Sequence, residues 1–270
     1  MELKSGEISS IIYHNIFNYP LTPSELIKWK LKPQIKLKRK VAVLKKEDFY
    51  FLKGKGEIIE KRLQNKKYSK NKLIIARKAA SVLKTIPTIK LVALTGALAM
   101  NNADKNSDID LLIITKNKTL WTTRLITYLV LLIYGIKVRK PKDDDQKDKL
   151  CLNMWLDEND LVWSKKDRNM YSAHEIGQIV PLINRDEIYE RLLNQNIWIL
   201  DYWPNIVNIK NNFKIKTKKK TSSYLTVEKM AFKFQYMYMK NKISREVITP
   251  TRAVFHPNDW GKVVISRLTP

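Results

Sequence analysis

The residues best able to do chemistry lie in one stretch, Leu94 to Thr115, LTGALAMNNADKNSDIDLLIIT. Asp108 and Asp110 sit two apart at the head of the apolar run DIDLLIIT. That run reads as a strand, and side chains two apart on a strand share a face. Both carboxylates can therefore aim at one point, where a divalent cation would separate their charges. Hard oxygen ligands on a rigid strand suit magnesium or manganese, completed by substrate phosphates. Without a cation the charges repel and one carboxylate tends to hold a proton. Upstream, Gly96 directly follows the short strand KLVAL and allows a ligand to approach the backbone. The next residues, ALAMNN, can form a short helix whose N–H groups point at an anion. A phosphate cradle beside paired carboxylates describes nucleoside triphosphate chemistry.

A calcium loop is the competing reading of the same residues. Asp104, Asn106 and Asp108 match its first three ligand positions, but Ile109 stands where glycine is required and Thr115 where a bidentate glutamate is required. That reading fails. Taken by themselves, Asp104 and Ser107 read as turn caps. Of the three histidines, His14 reads as a face residue of the N-terminal part, His174 lies beside Glu175 on a helix, and His256 falls in a loop. None has a partner at catalytic or zinc spacing. Lys147 and Lys149 flank Asp148 in a charged loop.

Thr95-Gly96-Ala97, a ten-residue spacer, then Asp108-Ile109-Asp110 and LLIIT resembles the nucleotidyltransferase superfamily related to DNA polymerase β. The resemblance spans roughly residues 70 to 160. It implies that Asp108 and Asp110 hold one or two magnesium or manganese ions and serve as the catalytic pair. It implies a nucleotide-binding set of Thr95, Gly96, Ala97 and Ser107. By family frequency the triphosphate is ATP, and a nucleoside monophosphate passes to a hydroxyl as pyrophosphate leaves. Two departures stand out. Ala97 replaces the usual serine after the glycine. The third carboxylate of the family falls on LCLNMWL, where the polar residue is Asn153, with Asp148 at the strand entry as the fallback and Asp157 lying beyond the strand. These departures favour an alternative, a catalytically degenerate regulator or antitoxin-like protein that binds nucleic acid.

The elements that must position this motif divide the chain into three. Residues 1–66 read as a winged helix-turn-helix-like domain: an isoleucine-rich helix, a second helix capped by Thr22 with Pro23 and Glu25, a basic third helix in PQIKLKRKVAV, and a hairpin around KKED. Residues 67–166 hold the motif. Residues 56 to 85 read as a basic helix connecting this part to the first, with Leu73, Ile74, Ala76, Ala79, Ala80 and Leu83 on an apolar face of its second half. KNKTLWTTRLITYLVLLIYG reads as a buried helix ending near Gly135, and LCLNMWLDENDLVW as two strands about a turn. Residues 167–270 read as helical. A Ser172/Glu175 capping box opens the first helix and Pro181 stops it, Asn184 and Glu187 open a second, a basic linker covers 208–223, and Val227, Met230, Ala231, Phe234, Met237 and Tyr238 line a core or partner stripe. The class is α+β, a mixed sheet with flanking helices.

Composition sets the outer bounds. With 270 residues and 44% apolar content the chain supports a sizeable core. Its single cysteine, Cys151, excludes a disulfide or thiolate zinc cluster and fits a reducing compartment. The start has no signal-peptide pattern, and no run reads as a membrane span, so a cytoplasmic protein is expected. The net charge of +25 points to a polyanion such as RNA or DNA, or to an anionic membrane surface met by Lys214–Lys220. The excess of lysine over arginine, with abundant asparagine and isoleucine, also follows from an AT-rich coding sequence. The sequence is silent on oligomeric state.

Overall fold

A computed structural model describes residues 3–32, 41–140, 145–207, 225–240, 246–255 and 260–268. Of the basic third helix expected within 33–43, residues 33–40 lie outside the described residues and Val43 begins a strand instead; the linker at 208–223 and His256 also lie outside.

The centre is a six-stranded mixed sheet. In chain order its strands are β3 (Ile89–Leu94), β4 (Ile109–Thr115), β5 (Leu150–Asp157), β6 (Val180–Asn184), β7 (Val247–Ile248) and β8 (Arg252–Val254), and their spatial order is β6-β3-β4-β5-β8-β7. β3 and β4 pair antiparallel, with Leu94 opposite Leu111. β4 and β5 pair parallel, which requires a crossover, supplied by helix α5 (Leu120–Ile133). Both central strands are buried on both faces, which is why KLVAL and LLIIT read as continuous apolar runs. Val92, Leu94, Leu111 and Ile113 face α5 and the long helix α3 (Glu57–Leu83), while Leu91, Ala93, Leu112 and Ile114 face Ile179, Ile188 and Leu192. On α3, Ala76, Ala79, Ala80 and Leu83 are buried as expected, whereas Ile74 is exposed.

The polar side of α3 matters as much as its apolar side. Asn65, Ser69 and Lys72 follow one another down one face. Asn65 Nδ2 donates to the Asn102 carbonyl, Ser69 Oγ accepts the Ala103 N–H at 3.0 Å, and Lys72 Nζ donates to the Ser107 carbonyl at 2.7 Å. The loop that leads into β4 is thereby pinned at three points before it reaches Asp108.

The N-terminal helices α1 (Ser5–Asn15) and α2 (Pro23–Lys28) form as read. Thr22 Oγ1 accepts the Glu25 N–H, the Glu25 carboxylate accepts the Thr22 N–H, and Pro23 opens the helix. The hairpin β1 (Val43–Lys46) and β2 (Phe49–Leu52) follows. These elements share a core with the C-terminal part: Tyr13 and Trp29 pack on Trp203, together with Ala173 and Ile176 of α6 (Met170–Gly177) and Val264 of α9 (Trp260–Leu268).

Several expectations about the C-terminal part are corrected. It is not wholly helical, since β6, β7 and β8 complete the sheet. Pro181 lies inside β6, tolerated because β6 is an edge strand. Asn169 with Ser172, rather than Ser172 with Glu175, forms the capping box of α6. Residues 161–163, expected as a second strand after β5, form none. Helix α7 (Ile188–Gln195) follows β6. In α8 (Leu225–Met239), Ala231 is buried but Val227, Met230, Phe234, Met237 and Tyr238 are exposed, so that stripe is not core. The inward side of α8 instead carries Glu228, whose carboxylate accepts the Trp121 and Thr122 N–H groups at 2.6 and 3.0 Å and caps the start of α5. α5 is likewise only half buried. Leu120, Trp121 and Leu131 face inward, and Leu125, Leu129, Leu132 and Ile133 face out. Among the described residues no helix is long and apolar enough to cross a membrane.

His14 and His174 meet in the shared core with their Nε2 atoms 3.2 Å apart. His14 Nδ1 lies 2.8 Å from the Ser10 carbonyl, which can only accept, so Nδ1 carries the proton and Nε2 accepts from His174. A second proton would set two N–H groups against each other inside an aromatic cage. Burial pushes His14 down to about 4 and His174 well below its usual value. The unfolded chain then binds more protons than the native one between about pH 4 and 6.5, so stability is complete above that window and falls as pH drops through it. For His14 alone the loss is on the order of 3 kcal/mol. Urea unfolding of the wild type and of a His14→Phe/His174→Phe variant across this range should show a steeper pH slope in the wild type; equal slopes would remove the pair from the acid response.

Candidate active site

The turn after β3 approaches β4 closely. The Thr95 N–H donates to the Asp110 carbonyl at 3.1 Å, and Gly96 follows with φ +59°. A Cβ placed on Gly96 would lie 2.6 Å from Asp110 Oδ2. Glycine is thus required twice, by conformation and by the lack of room for a methyl group. Gly96–Ala99 form the short helix α4. Thr95 is buried and Ala97 exposed.

Asp108 and Asp110 lie together. One oxygen of each and the Cys151 Sγ lie within 4.8 Å of one another. Cys151 arrives because β5 pairs parallel with β4 and sets it opposite Asp110. Asn153, two residues on, shares that face, and the register then slips by one residue so that Met154 meets Leu112. Asn153 Nδ2 donates to Asp110 Oδ1 at 2.9 Å, while its own Oδ1 is buried with no hydrogen-bond partner among the described residues. The third position on this strand therefore presents an amide to Asp110. Asp148 is placed elsewhere, ion-paired to the buried Lys72 at 2.7 Å. The Ser107 hydroxyl donates to the Asp104 carbonyl within its own turn. His174 is engaged by His14 rather than by the acids. Asp157, expected beyond the strand, is instead the buried last residue of β5 and accepts the Lys118 N–H.

Charge explains what this cluster lacks. Burial, reinforced by Asp108, raises Asp110 to about 7, and burial beside Asp110 pushes the Cys151 thiol up. Arg139, just past α5, sets Nη1 2.7 Å from Asp108 Oδ2 and 3.8 Å from Cys151 Sγ. A guanidinium thus neutralises one acid and leaves the other in need of a positive charge. Glu175 of α6 lies on the same side of the sheet, lining a small cavity with Thr95, Leu112, Met154 and Ile179. Burial and then Asp110 raise its carboxyl to about 8. Two carboxylate oxygens beside a glycine turn are chemistry that suits a hard divalent cation next to a phosphate.

Sequence reasoning missed Arg139, Cys151 and Glu175 as members of this site, and Lys72 as its support. Cys151 was within reach, because alternation along LCLNMWL puts it on the face of Asn153. Arg139 and Glu175 carry no local signal, since their placement depends on the end of α5 and on the docking of α6.

The glycine requirement has a measurable consequence. Gly135, at φ +64° with open space where a Cβ would project, is the internal control. Gly135→Ala should cost about 1 kcal/mol for the backbone conformation alone. Gly96→Ala should cost roughly 1–3 kcal/mol more, because Asp110 must move. Equal losses in urea unfolding would mean that Asp110 does not press on the turn.

The family model described as "Nucleotidyltransferase domain" matches residues 76–222. That span runs from the second half of α3 through β3, the acid pair, β5 and α7. No curated protein and no solved structure matches the chain. The matched span covers more than half of the sequence and contains the whole cluster around Asp108 and Asp110, so the chain belongs to the nucleotidyltransferase domain family.

Proposed function

We propose that the protein transfers a nucleoside monophosphate from a nucleoside triphosphate, ATP by family frequency, to a hydroxyl on RNA, on a protein or on a small molecule. The observation that carries the reading is the contact of the Gly96 turn with Asp110, which puts the turn next to the two carboxylates. Asp108 and Asp110 would hold magnesium or manganese, which when bound neutralises the triphosphate and lowers the pKa of an attacking hydroxyl. The turn at Thr95, Gly96 and Ala97 would take the terminal phosphates through backbone N–H groups, the Ala97 position offering no hydroxyl. The acceptor oxygen would form a bond to the α-phosphorus as the bond to the bridging oxygen breaks and pyrophosphate leaves. Catalysis of this kind is mostly positioning and charge stabilisation. Arg139 would have to leave Asp108 for metal to bind there, which frees its guanidinium for phosphate.

A second reading has its own support. Asn153 offers an amide where the family often has a carboxylate, and Ala97 lacks the usual hydroxyl. Both fit a nucleotidyltransferase fold that binds nucleic acid without catalysis, and the basic charge of +25 suits it.

Incubation with labelled nucleotides, magnesium and cell extract separates the two. Incorporation that disappears in Asp108→Ala/Asp110→Ala supports the transferase. Absence of incorporation together with salt-sensitive DNA binding supports the regulator. The role of Arg139 is measured without turnover. Arg139→Gln removes a cation that competes with metal for Asp108, so the variant should bind Mn2+ several-fold more tightly when nucleotide is absent, read by electron paramagnetic resonance. Weaker binding in the variant would show that Arg139 supports the metal site instead of competing for it.

A further inference from the structure

We infer that α5 and α8 form a docking surface for an anionic lipid bilayer, on the side of the sheet opposite the acid pair. Each helix carries an exposed apolar sector. On α8, Val227, Met230, Phe234, Met237 and Tyr238 recur at helical spacing and are 58–71% exposed. On α5, Leu125, Ile126, Leu129, Leu132 and Ile133 form a second sector, 41–76% exposed. The helices touch: Glu228 caps α5 and Gln235 Nε2 donates to the Trp121 carbonyl at 2.8 Å. Trp121 and Leu131 of α5 and Ala231 of α8 belong to the core on the face of Leu111 and Ile113. Asp110 alternates with those residues and lies on the other face, which docking would leave open.

Charge selects the occupant. Among the described residues, neither helix presents an acidic side chain outward: α5 has none, and Glu228, the acid of α8, is turned inward. Lys229 and Lys233 occupy an exposed sector of α8 beside its apolar one, and Lys240, also exposed, follows its last residue. Lys137 and Lys140, both exposed, follow Leu132, Ile133 and Tyr134 at the end of α5. In sequence, α8 is preceded by Lys214, Lys216, Lys218, Lys219 and Lys220. An apolar helix face edged by lysines, with no carboxylates, is the pattern of an interfacial helix on anionic lipid. A soluble partner or a second copy would meet the same uncompensated positive rim and would need acids of its own. A second copy of this chain, at +25, brings more repulsion. Nucleic acid would satisfy the lysines and leave ten large apolar side chains in water.

The test is flotation of the full chain with vesicles of phosphatidylcholine alone and with about 30% phosphatidylglycerol added. The protein should float with the anionic vesicles, about tenfold or more above the neutral ones, and less as salt rises. Phe234→Asp/Met237→Asp and, separately, Leu129→Asp/Leu132→Asp should each reduce flotation about tenfold or more, with unchanged circular dichroism and melting temperature because these side chains are exposed. Lys229→Gln/Lys233→Gln/Lys240→Gln should lower binding to anionic vesicles only. Absence of flotation overturns the inference. So does flotation that both apolar variants retain, since the lysines would then act alone. Light scattering that shows a wild-type dimer dispersed by the apolar variants assigns the surface to a second copy and overturns it as well.

Discussion

Two carboxylates share one strand face, and the protein supplies one guanidinium to balance them. Arg139 pairs with Asp108, while Asp110, pressed by the Gly96 turn and reached by the Asn153 amide, is left with a pKa raised to about 7. The rest of the structure serves to hold this imbalance. The α3 side chains Asn65, Ser69 and Lys72 fix the loop entering β4, the buried sheet fixes the strand, and β5 brings the Asn153 amide to Asp110. Under the proposed function, this pair of acids and the adjacent glycine turn would take a hard cation and the phosphates that accompany it.

The strand–turn–strand unit was legible because each part of it is local. Alternation gives the face of Asp108 and Asp110, apolar runs give the burial of β3 and β4, and a glycine after a strand gives the turn. Thr22 and Glu25 likewise encode their cap within four residues. What the sequence hid depends on long-range contact. A one-residue bulge leaves no trace in LCLNMWL, yet it decides that Met154 meets Leu112. β7 and β8 are two and three residues long and become strands only by pairing with β5 and with each other. His14 and His174 are 160 residues apart and meet because the first and last parts of the chain share a core.

Apolar periodicity also misled in an instructive way. The stripes on α5 and α8 read as core because large apolar side chains at helical spacing usually are. The structure buries the other sides of both helices instead. On α8 the inward positions include Glu228 and Gln235, which are polar because they bind the start of α5. The apolar residues left outside, edged by lysine and free of acids, carry the membrane-surface inference.

The central claim is that Asp108, Asp110 and the Gly96 turn form one metal and phosphate site. Its most direct test is anomalous scattering from crystals grown with manganese and a non-hydrolysable ATP analogue. The account predicts a manganese peak between the two carboxylates, phosphate density against Gly96, and Arg139 moved off Asp108. Manganese and nucleotide bound elsewhere, with the Arg139–Asp108 pair intact, would contradict it.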